Sequence, residues 1–411
     1  MTETTTLGNI GPLGTPGTPE ESAPEQSRAQ IFFSELGRSS AVISVLAVLL
    51  AFLAGGALVA ASNSKVHQAM GSFFQRPLDA LGAIWDAAAG TYVALFRGSI
   101  YNFTANSFDQ SIRAFTETLT ATTPLLIAGL ALAISFRAGL FNIGGSGQMI
   151  AGILAASFVG LNLNLDIWIQ LPLTVICGAL GGAVWGGLVG WLKARTGANE
   201  VIVTIMFNYI AAYFLAWLLT VPGYQRPGGN NPITQQISIS SQYPNLFGGV
   251  HRLHAGIFVA IVLIFVTWWL FNRSTRGFQF RAIGLNQNAA KVAGMNVNRN
   301  FTYVMAVSGA FMGLAGTALL MGTEKVVTSG IAGTYGFDAI TVALLGRNKP
   351  WGVAGAALLM GALRAGAGTM QAAEGIPVDI VAIVQSMIVL FIAAPPLVRS
   401  IFRLPTPRKE A

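Results

Sequence analysis

Charge is what this sequence has least of. Only 10% of its 411 residues are Asp, Glu, Lys or Arg, where a soluble domain carries about a quarter. That scarcity excludes an ordinary water-soluble globule. Cysteine is almost absent too: Cys177 stands alone inside an apolar run, which excludes an internal disulfide and disfavours a cysteine-based metal cluster. No stretch matches the phosphate-cradling pattern GxxxxGK[ST], so the chain has no recognisable ATPase of its own. The three histidines, His67, His251 and His254, fall in segments expected outside. His251 and His254 have the i, i+3 spacing of a helix face, but nothing near them completes a nucleophile–base pair or a metal site. No catalytic residue, metal or cofactor is therefore expected, and a membrane enzyme is the weakest functional class.

What is present is apolar. Hydrophobic residues make up 53% of the chain and the mean hydropathy is +0.60, which reads as an integral membrane protein. The formal charge of +8 does not point to nucleic acid, because the basic residues abut apolar runs and do not form a stripe with interleaved aromatics. Orientation in a lipid membrane explains them better, since Lys and Arg near span ends are retained on the cytoplasmic side.

The chain divides into a polar tail over 1–35, a transmembrane unit over 36–404 and a short tail over 405–411. The first tail, rich in Thr, Gly, Pro, Glu and Ser, carries Glu20, Glu21 and Glu25 and cannot bury a core. Disorder on the cytoplasmic side is expected for it. Apolar stretches follow at 41–61, 120–136, 140–161, 171–192, 201–221, 256–271, 302–321, 337–345, 351–368 and 378–394. About twenty residues cross a hydrocarbon core of about 30 Å, so the expected fold is an all-α polytopic bundle of about ten transmembrane segments with both termini cytoplasmic. The short pair around Arg347 is where a half-helix could re-enter in place of a crossing. Residues 84–96, with Trp85, Tyr92 and Phe96, read as an amphipathic interfacial helix. Residues 222–254, rich in Pro, Gly, Asn and Ser, read as a long external loop. Gly178, Gly182, Gly186 and Gly190 leave one helix face bare, and Gly309 and Gly313 do so on another. In lipid, close backbone approach through such faces drives helix association.

Two polar stretches carry the functional expectations. Arg273 to Arg299 holds five basic residues and no acidic one, and lies inside by the charge rule. Gly284 breaks the chain and Asn286 is a good N-cap. Residues 287–293 can make two helical turns with small residues at Ala289, Ala290 and Ala293, and Gly294 is a stop that tolerates positive φ. This reads either as a helix presented to a soluble partner or as an ordinary basic surface loop. The second stretch, Phe136 to Met149, reads FRAGLFNIGGSGQM. Its glycines can break a helix at membrane depth, and Asn142, Ser146 and Gln148 suit a polar neutral substrate; a tight turn between two helices is the alternative. Asn208, Asp338 and Arg364 lie within apolar segments, where polar groups usually face a cavity or each other. An Asp338–Arg364 pair is one expectation; a helix cap for Asp338 and snorkelling for Arg364 are the others.

Four segments resemble one family in order: RAGLFNIGGSGQ (Arg137 to Gln148), NEVIVTIMFN (Asn199 to Asn208), RAIGLNQNAAKVAGMNV (Arg281 to Val297) and YGFDAITVALLGRNKPWG (Tyr335 to Gly352). Together they resemble ABC-transporter permeases of the ribose/branched-chain amino acid class, in particular the nucleoside and simple-sugar branch, over about residues 40–400. The resemblance implies an importer subunit in the bacterial plasma membrane. Its partners would be an ABC ATPase subunit, a second permease subunit, identical or different, and an extracytoplasmic substrate-binding protein. It would meet membrane lipid and no nucleic acid. The third segment resembles the loop that docks on the ATPase, which makes Gly284, Asn286, Ala289, Ala290, Ala293 and Gly294 the coupling candidates. Phe141, Asn142, Ser146, Gln148, Asn208, Asp338 and Arg364 are the substrate-pathway candidates. Ser146 departs from the family pattern, which usually has Glu there. The rival reading, an ion-coupled secondary transporter, would need carboxylates at the midplane, and Asp338 alone is thin support.

Overall fold

The computed structural model describes residues 40–228, 231–248 and 251–402. The expected tails over 1–35 and 405–411, and with them the side on which each terminus lies, fall outside the described residues. Within them the chain is helical, with four isolated bridges and no strand. In chain order the helices are α1 (Ser40–Ser62), α2 (Ser64–Gly71), α3 (Pro77–Ser99), α4 (Phe108–Arg137), α5 (Gly145–Asn162), α6 (Ile167–Thr196), α7 (Glu200–Leu218) and α8 (Gly256–Arg273). Then come α9 (Thr275–Leu285), α10 (Gln287–Val292), α11 (Val297–Thr317), α12 (Tyr335–Leu345), α13 (Pro350–Glu374), α14 (Asp379–Ala393) and α15 (Pro395–Ile401). Helices are the expected solution, because in hydrocarbon every backbone N–H and C=O must be satisfied inside its own segment.

Each of the ten apolar stretches contains a helix, and the one over 140–161 becomes helical only at Gly145. Seven helices among the described residues are long and apolar enough to cross a membrane, and α12 and α14 are shorter apolar helices. The 11 residues of α12 rise only about 16 Å, roughly half a hydrocarbon core. Arg347 and Asn348 then turn the chain with φ of 53° and 54° into α13. The helix over 84–96 differs from expectation. It is the longer α3, and it packs lengthwise on α1 and α13 as a member of the bundle. Tyr92 donates its hydroxyl to the Phe52 carbonyl of α1, and a Cβ on Gly98 would overlap Thr369 and Gly366 of α13.

The centre is an interlock of bare helix faces. On α6, Gly178, Gly182, Gly186 and Gly190 lie against α11 at Thr317, Gly309, Met305 and Phe301. A Cβ on Gly309 or Gly313 would in turn strike the carbonyls of Gly182 and Gly178, and α5 joins through Gly152, whose Cβ would overlap Gly313. Except at Gly178, which meets the Thr317 methyl, the nearest contact atoms are backbone, so no side-chain rotation can relieve an added methyl there.

The described residues between α7 and α8 form the expected long connection, and it is pinned at several points. Thr234 N–H donates to the Val327 carbonyl (3.1 Å), Ile237 N–H to Lys325 (3.0 Å) and Tyr243 N–H to Met321 (3.0 Å). The chain that receives them leaves α11 through a π-helical turn over Ala318–Glu324. Gln170 of α6 adds bonds to Ser238 (2.6 Å) and Ser241 (2.8 Å). The i, i+3 spacing of His251 and His254 does not put them on one helix face, because residues 251–253 are not helical. His251 instead joins Asp109 (2.9 Å) and Thr116 (2.9 Å) of α4. His254 is fully buried, stacked on Tyr243 with Nδ1 accepting from Gly256 N–H (3.2 Å). Burial, with Arg252 and Lys325 adding, pushes its pKa down to about 4.

Gly182→Leu or Gly309→Leu is expected to cut monodisperse, detergent-extracted protein to under about a tenth of wild type, since overpacking against backbone exceeds the usual 1–3 kcal/mol. Gly355→Ala, where nothing lies within 4 Å, should leave the yield unchanged. For His254, the unfolded chain binds its proton near the ordinary value of 6.5 and the folded chain only near 4. Stability should therefore fall as pH drops from about 7 towards 4. A thermal-melt series should show this slope in wild type and a flatter one in His254→Gln.

Candidate functional site

The break between α4 and α5 is built by its own polar side chains. Gly139, at φ 71°, turns the chain out of α4. Asn142 Oδ1 then accepts from Gly144 N–H (2.9 Å), and its Nδ2 donates to Gln148 Oε1 (3.1 Å) and Ser308 Oγ (3.1 Å). Ser308 Oγ–H donates to the Ala131 carbonyl (2.9 Å). Asn208 of α7 accepts from Gly147 N–H (2.8 Å) and donates to the Ile143 carbonyl (2.9 Å). Orphan N–H groups at the start of α5 are thus met by two asparagines. Three of the expected pathway residues are engaged in these bonds. Asn142 and Gln148 are fully buried and bonded to each other, and Asn208 is committed to the break. In this conformation their hydrogen bonds hold the α4–α5 junction. Ser146 lies against Gly336 of α12, with its Oγ buried and unpartnered. Phe141 is exposed and stacked on Phe136, with centroids 5.1 Å apart.

The polar space lies elsewhere. An open cavity of about 600 Å³ is walled by the end of α3, the first half of α4, the end of the π-turn, the start of α12 and the outer half of α13. Its charged lining is Arg97, Arg113, Glu117, Arg252, Glu324 and Arg364, four cations to two anions. Glu117 is held between Arg113 (3.9 Å) and Arg252 (3.8 Å). The Arg364 guanidinium lies 3.9 Å from the centroid of the Tyr335 ring and bonds Asp338 Oδ2 at 3.1 Å, while Thr334 Oγ1 donates to the same oxygen (2.7 Å). Asp338 and Arg364 therefore meet as a pair at the wall of this cavity. Of the pathway candidates only Arg364 lines it, with Asp338 directly behind. Arg97, Arg113, Glu117, Arg252 and Glu324 were not expected. A signal existed in the buried threonines Thr116, Thr118, Thr120, Thr122 and Thr123, which mark α4 as a span that starts before its apolar core.

At the opposite end, the basic segment forms α9 and α10. Asn286 caps α10 by accepting from Asn288 N–H (3.0 Å) and Ala289 N–H (3.0 Å), and Gly294 stops it at φ 82°. Gly284 packs its bare side on the Arg137 carbonyl, which ties the loop to the end of α4. The small-residue face is split. Ala289 and Ala293 are exposed, but Ala290 is only 3% exposed and packs inward. Its methyl group therefore supports the loop from within. The apolar side chains that reach out are Leu285, 88% exposed, and Val292, 91% exposed.

Reversing one charge of the Asp338–Arg364 pair, as Asp338→Arg or Arg364→Asp, should lower the melting temperature. The double reversal should recover part of the loss, with a coupling energy of about 1 kcal/mol for this half-exposed pair. A double variant no more stable than the sum of the singles would show that the pair contributes nothing.

Comparison with known proteins bears on this arrangement. Residues 114–393, more than half the chain, match the family described as branched-chain amino acid transport system / permease component. The guanosine ABC transporter permease protein NupP of Bacillus subtilis is 40% identical over 76% of this chain and 92% of its own length. The glucose ABC transporter permease protein TsgB13 of Haloferax volcanii is 34% identical over 67% of this chain and 75% of its own. The nucleoside ABC transporter permease protein NupB of Lactococcus lactis is 33% identical over 73% and 84%. No solved structure matches the chain. With a polytopic helical bundle, a capped basic loop on one side and these matches, the chain belongs to this permease family, as the multi-pass plasma-membrane subunit of a bacterial ABC importer whose ATP hydrolysis resides on a separate subunit.

Proposed function

We propose that this subunit passes nucleosides, or closely related simple sugars, through a path entered at the cavity between α3, α4 and α13. The observation that carries the reading is the cavity's chemistry. Its volume of about 600 Å³ falls within the range of about 300–1,000 Å³ typical of small-molecule sites. A nucleoside is uncharged overall, with a flat π-face and several hydroxyls. Arginine guanidiniums stack on such faces, and the carboxylates Glu117 and Glu324 accept from sugar hydroxyls. Two relatives named for guanosine and nucleoside transport support the base-bearing substrate. The relative named for glucose supports the sugar as the second reading.

In this account residues 36–404 form the permease unit and pair with a second permease across the pathway. An extracytoplasmic binding protein delivers substrate near the loop over 222–254. The ATPase grips α9 and α10 through Leu285 and Val292, and ATP-driven closure moves this loop. Because Gly284 abuts the end of α4, and Asn142 fastens α4 to α5 and to Ser308 of α11, the motion reaches the bundle as rigid-body rocking. Ser146, Phe141, Asn142, Gln148 and Asn208 act in this reading at the hinge region and not on substrate.

Uptake of labelled guanosine by cells expressing the whole transporter tests the substrate class. Excess unlabelled nucleosides should compete and excess glucose should not; the reverse pattern would favour the sugar reading. Arg364→Ala should reduce uptake at least about tenfold, the loss of one good charged contact. Leu285→Asp with Val292→Asp should abolish uptake while membrane accumulation and the melting temperature stay near wild type, as expected for exposed anchors of an interface. Unchanged uptake in that double variant would remove the docking role.

A further inference from the structure

The docking loop has a second face that ATPase contact does not explain. Beside α10 lies a hollow of about 690 Å³, walled by the end of α8, by α9 and by the entry to α11. Arg273, Arg276, Arg281 and Arg299 line it, and no Asp or Glu does. Among the described residues, none of the four lies within ion-pair distance of a carboxylate. Arg276 and Arg299 share one ring: their guanidiniums lie 5.0 and 5.3 Å from the centroid of Tyr303, and Arg299 Nε donates to its hydroxyl (2.9 Å). The Nε of Arg281 is buried with no acceptor. Like charges gathered around one hollow raise each other's energy, and an anion seated between them reverses the sign of that interaction.

The neighbourhood indicates which anion. The turn of α8 before Asn272 exposes Trp268 and Trp269, and Phe278 of α9 is exposed on the hollow's wall. Tryptophans at the end of a spanning helix sit at the headgroup level. By the charge rule this is the cytoplasmic side, where the leaflet carries anionic lipid and where basic pockets between helices take phosphate headgroups. Arginine suits a phosphodiester because its planar fork binds two phosphate oxygens at once. The apolar anchors of the docking loop, Leu285 and Val292, are not among the residues that line the hollow.

We propose that this hollow is a binding site for the phosphate headgroup of an anionic phospholipid, which Arg273, Arg276, Arg281 and Arg299 clasp beside the ATPase-docking helix. A lipid so held steadies the angle between α8 and α9, and hence the position of α10. Transport would then depend on the anionic-lipid content of the membrane.

The test is lipid retention by the intact transporter. The complex is purified from discs made of equal parts phosphatidylglycerol and phosphatidylcholine, and the lipid that stays bound is counted by native mass spectrometry. Wild type should retain phosphatidylglycerol over phosphatidylcholine. Arg276→Gln with Arg299→Gln should lower that retention at least fivefold, and Arg276→Lys with Arg299→Lys should lower it less. Lys65→Gln with Arg76→Gln, at the other end of the bundle, should leave it unchanged. Three results would overturn the proposal. One is equal phosphatidylglycerol retention by wild type and the glutamine variant. Another is loss of the ATPase subunit from that variant with lipid retention intact, which would assign the arginines to protein docking. The third is displacement of the lipid by millimolar inorganic phosphate, which would make the hollow a site for a free anion. Should the glutamine variant fail to accumulate, the lysine variant and the wild-type preference between the two lipids still decide the outcome.

Discussion

Everything else in this molecule depends on how closely α6 can approach α11. Lipid tails are as apolar as leucine, so hydrophobic burial does not press two helices together inside a membrane. Contact has to come from dispersion between backbones, which requires that nothing stand between them. Gly178, Gly182, Gly186 and Gly190 on one helix and Gly309 and Gly313 on the other remove the side chains along the whole seam, and Gly152 brings α5 into the same line. Once this centre is set, α4 packs on α11, and α12 and α13 close around α4. The outer cavity is what remains where α3, α4 and α13 diverge.

A second constraint sits at the α4–α5 junction. An interrupted helix at depth leaves backbone groups without partners, and in hydrocarbon that is expensive. Asn142, Asn208, Gln148 and Ser308 supply those partners. They also couple four helices, since Asn208 belongs to α7 and Ser308 to α11. In the proposed function these bonds would carry movement from the loop at Gly284 into the bundle. That is what an importer driven from its cytoplasmic face needs.

Much of the fold was legible in the residues. The apolar stretches became helices, the glycine spacing marked the central seam, and Asn286 and Gly294 bounded α10 as their chemistry requires. The site was legible only in part, and the reason is distance along the chain. Asn142 looks like a substrate ligand while its partner Ser308 is hidden 166 residues away. The outer cavity draws on α3, α4, the 222–254 loop, the π-turn, α12 and α13, and no local pattern announces such an assembly. Arg113 and Glu117 lie just before the apolar part of α4, in a stretch without a clear apolar period, although the helix already begins at Phe108. Ala290 looked presentable because it is small, but only the packed structure reveals that it faces inward and that Leu285 and Val292 face out.

The family assignment makes the energy source the central claim: this chain moves only when a separate ATPase closes beneath it. Reconstituting the complete transporter in liposomes and following substrate entry tests this most directly. The account predicts entry only when ATP is present on the side of the Arg273–Arg299 loop, with no change when an ionophore collapses ion gradients. Entry that proceeds without ATP and stops with the ionophore would contradict it.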